Sequence, residues 1–188
     1  AITEKHLNDK FSQNLDKSNV VILGGTGPVG VASAVICAKA GANVTLVGRS
    51  LEKAEKIAGI CNDRYDSKNI KGGADADKSD FFNAADIVLN TGAAGIQLMS
   101  EEHIKNSNTL KICADTNAVP PSGIAGVDVM DNGKVIDMSP SKCLGIGALA
   151  IGNIKYKSQH ECLKLMYTSE KPVYLDFEDA FKFAQKSV

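Results

Sequence analysis

Short apolar runs alternate with longer segments of helical periodicity along the chain. Val20–Leu23 is an uninterrupted apolar run, which is typical of a parallel strand that is buried on both faces. Further short runs follow at 43–47, 86–90 and 110–114, and amphipathic helices are predicted between them. Strands that alternate with helices predict an α/β fold with a doubly wound parallel sheet, in which the crossovers are right-handed.

The chain outside these strands is predicted from helical spacing, capping residues and turn residues. We expect a leading helix within residues 1–18 and C-terminal helices within residues 145–188. The other predictions are helices over 28–40, 51–64 and 79–84, a helix capped by Ser100, a weak strand over 70–73, a strand over 127–130, a hairpin turn over 131–134, a long helix over 145–168 and a last helix after Asp176.

A glycine-rich turn follows the first strand. Gly25, Gly27 and Gly30 fit the G-x-G-x-x-G pattern, and Pro28 falls where the first turn of a helix needs no N–H group. Such a turn lets a backbone approach a pyrophosphate, and the helix N-terminus offers N–H groups to it. The pattern predicts a Rossmann-type dinucleotide-binding unit whose contacts are Gly25, Thr26, Gly27, Pro28 and Val29.

The end of the second strand predicts which dinucleotide binds. Units that bind NAD usually place a carboxylate there to accept a hydrogen bond from the ribose 2′-hydroxyl. This chain has Arg49 and Ser50 at that position, and Lys53 follows one helical turn later. A guanidinium group suits a 2′-phosphate, and Ser50 can also cap the next helix, so NADP is the predicted cofactor.

Two loops should border the same ligand, because ligands lie beyond the carboxyl ends of the strands in such sheets. Residues 90–95 follow the fourth strand, and their glycines allow close backbone approach; Thr91, Gly92 and Ala93 are the predicted contacts. Residues 115–121 follow the fifth strand and offer Asn117. A third segment, 143–147, leads into the long helix that bears Lys155.

Composition excludes several functions. The 188 residues carry a net charge of −1, so no strong field attracts nucleic acid or an anionic membrane. The uncharged stretch 20–38 is interrupted by glycines and Pro28, so we do not interpret it as a membrane span. Five cysteines without a C-x-x-C pair favour reduced thiols in the cytoplasm, and the three histidines have no metal-ligand spacing.

Length allows one domain with a sizeable core. An enzyme with this nucleotide unit needs a second part that bears the substrate, and few residues precede the first strand. We therefore expect residues 1–188 to be one NADP-binding domain, a piece of a longer protein whose substrate domain lies outside the chain.

Four stretches, 24–30, 90–96, 114–128 and 147–155, resemble in sequence and order the nucleotide-binding part of NADP-dependent methylene-tetrahydromethanopterin dehydrogenases. The first stretch is common to many folds, whereas 114–128 and 147–155 are much more particular. The resemblance implies oxidation of the methylene bridge of a C1-carrying tetrahydropterin, with tetrahydrofolate accepted by some members. It also implies homo-oligomers and a substrate domain that precedes this part.

The same resemblance implies direct hydride transfer from the methylene carbon to C4 of NADP⁺. The product is a methenyl cation, and since no proton leaves, no general base is required. Lys155 matches a lysine of the family motif and is the predicted catalytic residue, which would bind and orient the pterin. Catalysis would then be mainly positioning of the two rings.

Two other functions compete with this one. An NADP oxidoreductase of the shikimate-dehydrogenase type would have a similar turn and arginine, but it needs a Lys/Asp pair in a substrate domain. The other candidate is a non-catalytic NADP-binding module that senses or assembles. The stretch 114–128 is not explained by the shikimate-dehydrogenase type. The expected lack of a substrate domain in this chain favours the binding module for the chain, though not for the longer protein.

Overall fold

The computed structural model describes residues 1–188, and its centre is a seven-stranded sheet with the strand order β3-β2-β1-β4-β5-β7-β6. All neighbouring strands are parallel except the edge pair of β6 and β7. The doubly wound parallel sheet is therefore confirmed. The strands are β1 Asn19–Leu23, β2 Asn43–Gly48, β3 Ile70–Ala74, β4 Ile87–Asn90, β5 Ile112–Asp115, β6 Asn132–Val135 and β7 Leu144–Ile146.

Seven α-helices accompany the sheet, and none of them combines the length and the apolar character that a membrane span requires. A short 3-10 turn, Asp75–Asp77, precedes the fourth helix. The helices are α1 Ile2–Phe11, α2 Pro28–Lys39, α3 Leu51–Tyr65, α4 Lys78–Asn83, α5 Glu101–Asn106, α6 Ala148–Thr168 and α7 Phe177–Lys186.

Strand β1 lies in the middle of the sheet and joins both halves. Val20 is in register with Val44 of β2 and with Ile87 of β4. Val20 and Ile22 belong to one buried apolar cluster and Val21 and Leu23 to another, because successive side chains point to opposite faces. Burial of both faces explains the uninterrupted apolar run and fixes the carboxyl end of β1 at the centre of one sheet edge.

The leading helix is shorter than predicted. It ends at Phe11, since Ser12 adopts a left-handed conformation with φ of 50° and caps the helix. Leu7 is the buried residue of α1, and Leu15 is buried from the irregular segment that follows. The rest of residues 1–18, predicted to belong to the leading helix, is an irregular segment that packs on the core through Leu15.

The predictions for residues 127–146 are wrong in three places. No strand forms over 127–130, where the N–H of Asp128 donates to the buried Asp131 carboxylate at 2.8 Å. Residues 131–134 are not a hairpin turn, because Asn132–Val135 is the edge strand, with an irregularity at Gly133. The long helix does not begin at 145, because Leu144–Ile146 pairs with β5 first.

The remaining elements agree closely with the sequence predictions. The weak strand over 70–73 forms as β3, and α4 forms within a residue of the predicted bounds. Pro28 occupies the first turn of α2, and Ser50 caps α3 by accepting from the Lys53 N–H at 3.3 Å. Asp176 caps α7 through the N–H groups of Glu178 and Asp179.

Helix α5 has a capping box in which the reciprocal residue is a histidine. The Ser100 Oγ accepts from the His103 N–H, and His103 Nδ1 accepts from the Ser100 N–H at 3.0 Å. Nδ1 must therefore be unprotonated. Burial lowers the pKa of His103 below its ordinary value of 6.5, and the nearby charge of Lys78 lowers it further.

We predict that this cap weakens in mild acid. The unfolded chain takes up a proton at His103 below about pH 6.5, whereas the folded chain resists protonation until its lower pKa, so stability falls as the pH drops through that interval. The loss should stay below about 1 kcal/mol, the scale of a helix cap, because water screens the partly exposed imidazole. Glutamine also completes a capping box, so urea unfolding of His103→Gln between pH 7 and 5 should lack this component. Identical pH profiles for the two proteins would contradict the role of His103.

Candidate functional site

The glycine-rich turn has no room for side chains at three of its glycines. A Cβ on Gly24, whose φ is +66°, would lie 2.6 Å from the Gly92 Cα atom. A Cβ on Gly25 would lie 2.7 Å from Leu46 Cδ2, and one on Gly30 would lie 2.6 Å from the Gly25 Cα atom. These contacts press α2 against the end of β1 and bring the turn after β4 against it.

Gly27 differs from those glycines. Its Cβ would meet no atom closer than the Gly24 carbonyl oxygen at 3.5 Å, and its φ of −85° is open to any residue. The protein itself therefore does not require glycine at this position. The N–H groups of Val29 and Gly30, in the first turn of α2, have no acceptor within the chain, and no side chain caps the helix.

This arrangement fits a dinucleotide. Bare backbone at Gly27 leaves space for a pyrophosphate, and free N–H groups at a helix N-terminus are suitable donors to it. The fit depends on this chain's own geometry, because the open glycine lies immediately before the uncapped helix.

The end of β2 lies beside the turn. The Gly48 Cα atom is close to Thr26, since a Cβ on Gly48 would lie 2.8 Å from Thr26 Cγ2. Arg49, Ser50 and Lys53 are exposed just beyond, and no hydrogen bond or ion pair within the chain engages either positive side chain. The residues predicted to bind the coenzyme in the glycine-rich turn and after β2 therefore lie together at the carboxyl ends of the strands. Positive charge lies where β2 ends.

A buried polar network joins the ends of β4 and β5. The Asp115 carboxylate, 1% exposed, accepts from Asn90 Nδ2 at 2.8 Å, from the Asn117 N–H at 2.9 Å and from the Ile124 N–H at 3.0 Å. Asn90 Oδ1 accepts from the Gly92 N–H at 3.0 Å. Three donors compensate the buried carboxylate without a cation.

Asn117, a predicted cofactor contact, is itself part of this scaffold. Its Nδ2 donates to the Pro121 carbonyl oxygen at 2.8 Å, and its Oδ1 accepts from the N–H groups of Val119 and Gly95. The amide is 7% exposed. The side chain thus shapes the loop, and Ala118 and Val119 are the exposed residues next to it.

A mainly apolar cavity of about 220 Å³ lies beside the turn, bordered by Val29, Thr91, Thr116 and Ile151 among others. The hydroxyls of both threonines donate to backbone carbonyl oxygens, those of Leu23 and Asn90. The titratable side chains of the lining are Glu4 and Cys37.

The Cys37 thiol is not poised to act as a base. Burial raises the pKa of the Cys37 thiol to about 12, so the thiol stays neutral. Glu4 accepts a hydrogen bond from Gln185 Nε2 at 3.0 Å.

Lys155 lies apart from the turn. It is exposed on α6, about 10 Å along the axis from the first residue of that helix, and no hydrogen bond or ion pair within the chain engages its amine. Ile151, one turn before it, lines the cavity. Lys155 is thus within side-chain reach of the cavity rim but outside the polar network.

Sequence reasoning missed the two residues that organise the loops, Asn90 and Asp115. Both are the last residues of buried strands. The signal that could have identified them is a polar residue at the end of an apolar run, where the strand meets the ligand-binding side of the sheet. Gly123 was missed as well. A Cβ at this position would lie 1.7 Å from Asn90 Nδ2, so there is no room for a side chain.

The strand order and the glycine-rich turn define a Rossmann-type α/β domain. The chain is 37% identical over 187 residues to the NAD(P)-dependent methylenetetrahydromethanopterin dehydrogenase of Methylorubrum extorquens strain AM1. This alignment covers 98% of this chain and 62% of that protein. It is 36% identical over 169 residues to the bifunctional protein MdtA of the same organism, covering 88% of this chain and 57% of that protein. No family model matches the chain.

The resemblance to methylene-tetrahydromethanopterin dehydrogenases is thus confirmed over almost the whole chain. The chain spans about three fifths of the length of these curated relatives.

Solved structures support the fold. Quinate dehydrogenase from Corynebacterium glutamicum in complex with NAD aligns with a TM-score of 0.58 and 16% identity, covering 100% of this chain and 61% of that one. Shikimate dehydrogenase from Mycobacterium tuberculosis gives 0.53 and 16%, covering 87% and 55%. At this identity the similarity shows a shared Rossmann architecture and does not transfer a substrate.

Two glycine substitutions should separate ligand space from protein packing. Gly30→Ala places a methyl group against backbone and should destabilise the fold by about 1–3 kcal/mol. Gly27→Ala should change stability by less than about 1 kcal/mol, since no atom lies closer than 3.5 Å to its Cβ, yet it should abolish measurable binding of a nicotinamide dinucleotide if the pyrophosphate lies here. Urea unfolding and calorimetric titration measure the two effects. Full coenzyme affinity in Gly27→Ala would refute the placement of the pyrophosphate.

Proposed function

We propose that the chain is the coenzyme-binding part of an NADP-dependent dehydrogenase that oxidises methylene-tetrahydromethanopterin, or methylene-tetrahydrofolate, to the methenyl form. The observation that carries this proposal is the 37% identity over 98% of the chain to a relative named for this reaction. The open glycine and the uncapped helix α2 support coenzyme binding independently of that identity.

The residues hold and orient rather than transfer protons. Val29 and Gly30 offer N–H groups to the pyrophosphate, and the loops after β4 and β5 offer backbone groups to the nicotinamide half. NADP⁺ supplies the hydride acceptor when it is bound. The apolar lining around Val29 and Ile151 suits hydride transfer, because this step releases no proton and requires no base near the reacting carbon.

The preference for NADP rests on the end of β2. Residues 48–50 contain no carboxylate, so nothing there repels a 2′-phosphate. Arg49 can donate two hydrogen bonds, and the Ser50 hydroxyl can donate while its oxygen accepts from the Lys53 N–H. The exposed Lys53 adds a second positive charge one turn away.

Replacing Arg49 tests this preference. Arg49→Gln should weaken NADP⁺ binding by roughly tenfold to a hundredfold, the range of a lost charge-assisted contact, and leave NAD⁺ binding nearly unchanged. Arg64→Gln is the matched control, because Arg64 is the other arginine and is exposed at the far end of α3. Calorimetric titration with both coenzymes measures the ratio. An equal loss for NADP⁺ and NAD⁺ would disprove recognition of the 2′-phosphate by Arg49.

Lys155 is the proposed catalytic residue that binds and orients the pterin. Its free amine and its position one turn beyond Ile151 support this role. We expect the lysine to contact polar atoms of the pterin rather than the carbon where positive charge develops, since two like charges repel.

A pair of lysine substitutions tests the role of Lys155. Lys155→Ala should lower turnover of methylene-tetrahydromethanopterin by about a hundredfold or more and leave the NADP⁺ dissociation constant within about twofold, because positioning is lost while the coenzyme contacts remain. Lys157→Ala, also exposed on α6, should change neither quantity. Both variants are made in the longer protein that includes the substrate-binding part, and their steady-state rates are compared. Unchanged turnover in Lys155→Ala would remove Lys155 from the mechanism.

We propose two partners for the chain, a substrate-binding part and further copies of the same protein. A substrate-binding part outside these 188 residues would complete the cleft, which is supported by the 62% share of the relative that the chain spans. A homo-oligomer is supported by exposed apolar side chains along α6, namely Leu149, Tyr156, Leu163 and Tyr167. The five free cysteines favour the cytoplasm as the compartment.

A further inference from the structure

The coenzyme site has two halves that different parts of the chain support. The end of β2 and the first turn of α2 form the adenosine and pyrophosphate half. Asp115 ends β5, three strands away from β2 in the sheet, which is about 14 Å at the usual spacing between strands. The loops after β4 and β5 are therefore adjacent to the nicotinamide half.

Asp115 is the centre of the contacts that fix those two loops. Its carboxylate joins a side chain of β4, through Asn90, to two backbone N–H groups of its own loop, those of Asn117 and Ile124. Each of these bonds is 3.0 Å or shorter. The bonds therefore hold the start and the end of the β5 loop to the last residue of β4.

Asn90 orders the turn after β4, which lies against the glycine-rich turn. Its Oδ1 holds the Gly92 N–H, and the Gly92 Cα atom is the nearest neighbour of a Cβ on Gly24. Its carbonyl oxygen accepts from both the N–H and the hydroxyl of Thr116, at 3.2 and 2.9 Å. The Asn90 amide occupies the space beside Gly123, since a Cβ on Gly123 would lie 1.7 Å from Asn90 Nδ2.

We propose that Asp115 is a positioning residue that acts through Asn90 and Asn117 to immobilise the nicotinamide ring, whereas the rest of the coenzyme is anchored without it. This inference rests on the proposed coenzyme function. A buried carboxylate with three N–H donors holds a unique geometry, since any shift leaves a charged group partly unpaired in the interior.

The test compares two ligands that differ by the nicotinamide ring. NADPH is the complete reduced coenzyme, and 2′-phospho-ADP-ribose lacks the ring. The fluorescence of the reduced nicotinamide rises when the ring is immobilised and shielded from water, so it reports ring position separately from affinity. We expect Asp115→Asn to bind 2′-phospho-ADP-ribose within about twofold of the unaltered chain, to bind NADPH about tenfold more weakly and to lose the fluorescence rise.

Milder variants keep the test decisive if Asp115→Asn does not fold. Thr116→Val removes one hydrogen bond to Asn90 without changing side-chain shape, and it should reduce the fluorescence rise with little change in the melting temperature. Thr109→Val is the matched control, since its hydroxyl likewise donates to a backbone carbonyl oxygen, that of Ala85, at the opposite edge of the sheet. It should leave NADPH fluorescence unchanged.

The outcomes separate the inference from the function beneath it. If the unaltered chain binds neither ligand, the proposed coenzyme function fails and the inference fails with it. If the unaltered chain binds both, but Asp115→Asn or Thr116→Val weakens both equally or alters neither ligand's binding nor the fluorescence, coenzyme binding stands and the positioning role is overturned. A selective loss of the ring signal supports it.

Discussion

Close backbone approach at the carboxyl end of β1 is the constraint on which the site depends. A Cβ on Gly24 would lie 2.6 Å from the Gly92 Cα atom, and one on Gly30 would lie 2.6 Å from the Gly25 Cα atom. This proximity aims the first turn of α2 at the sheet edge and places the turn after β4 beside it. The helix begins at Gly27 and Pro28, neither of which has a side chain that can cap it. The N–H groups of Val29 and Gly30 therefore stay free.

The second support is electrostatic. A carboxylate that is buried without donors destabilises a fold by several kcal/mol, so the network around Asp115 is stable as a complete set of bonds. It ties two irregular loops to the ends of the strands they follow. Under the proposed function the nicotinamide ring must be positioned, and fixed loops serve this better than the apolar cavity lining, which offers few directional contacts.

The sequence predicted the elements whose signals are local. Apolar runs, Pro28 and the Ser50 cap located five parallel strands and the helices α2 and α3. The strands β6 and β7 were missed, because Asn132–Val135 has turn residues and Leu144–Ile146 is three residues long. The partners of Asp115 could not be predicted either, since Asn90 is 25 residues away and the pairing depends on strand order.

If the first turn of α2 receives the coenzyme pyrophosphate, the free amide groups of that turn must respond to the ligand. Amide ¹H–¹⁵N spectra of this chain during titration with NADP⁺ measure that response. We expect saturable shifts at the N–H groups of Val29 and Gly30, which have no acceptor within the chain, followed along the site by Ser50 and Gly92. Saturable binding that leaves the Val29 and Gly30 signals in place would show that the pyrophosphate lies elsewhere.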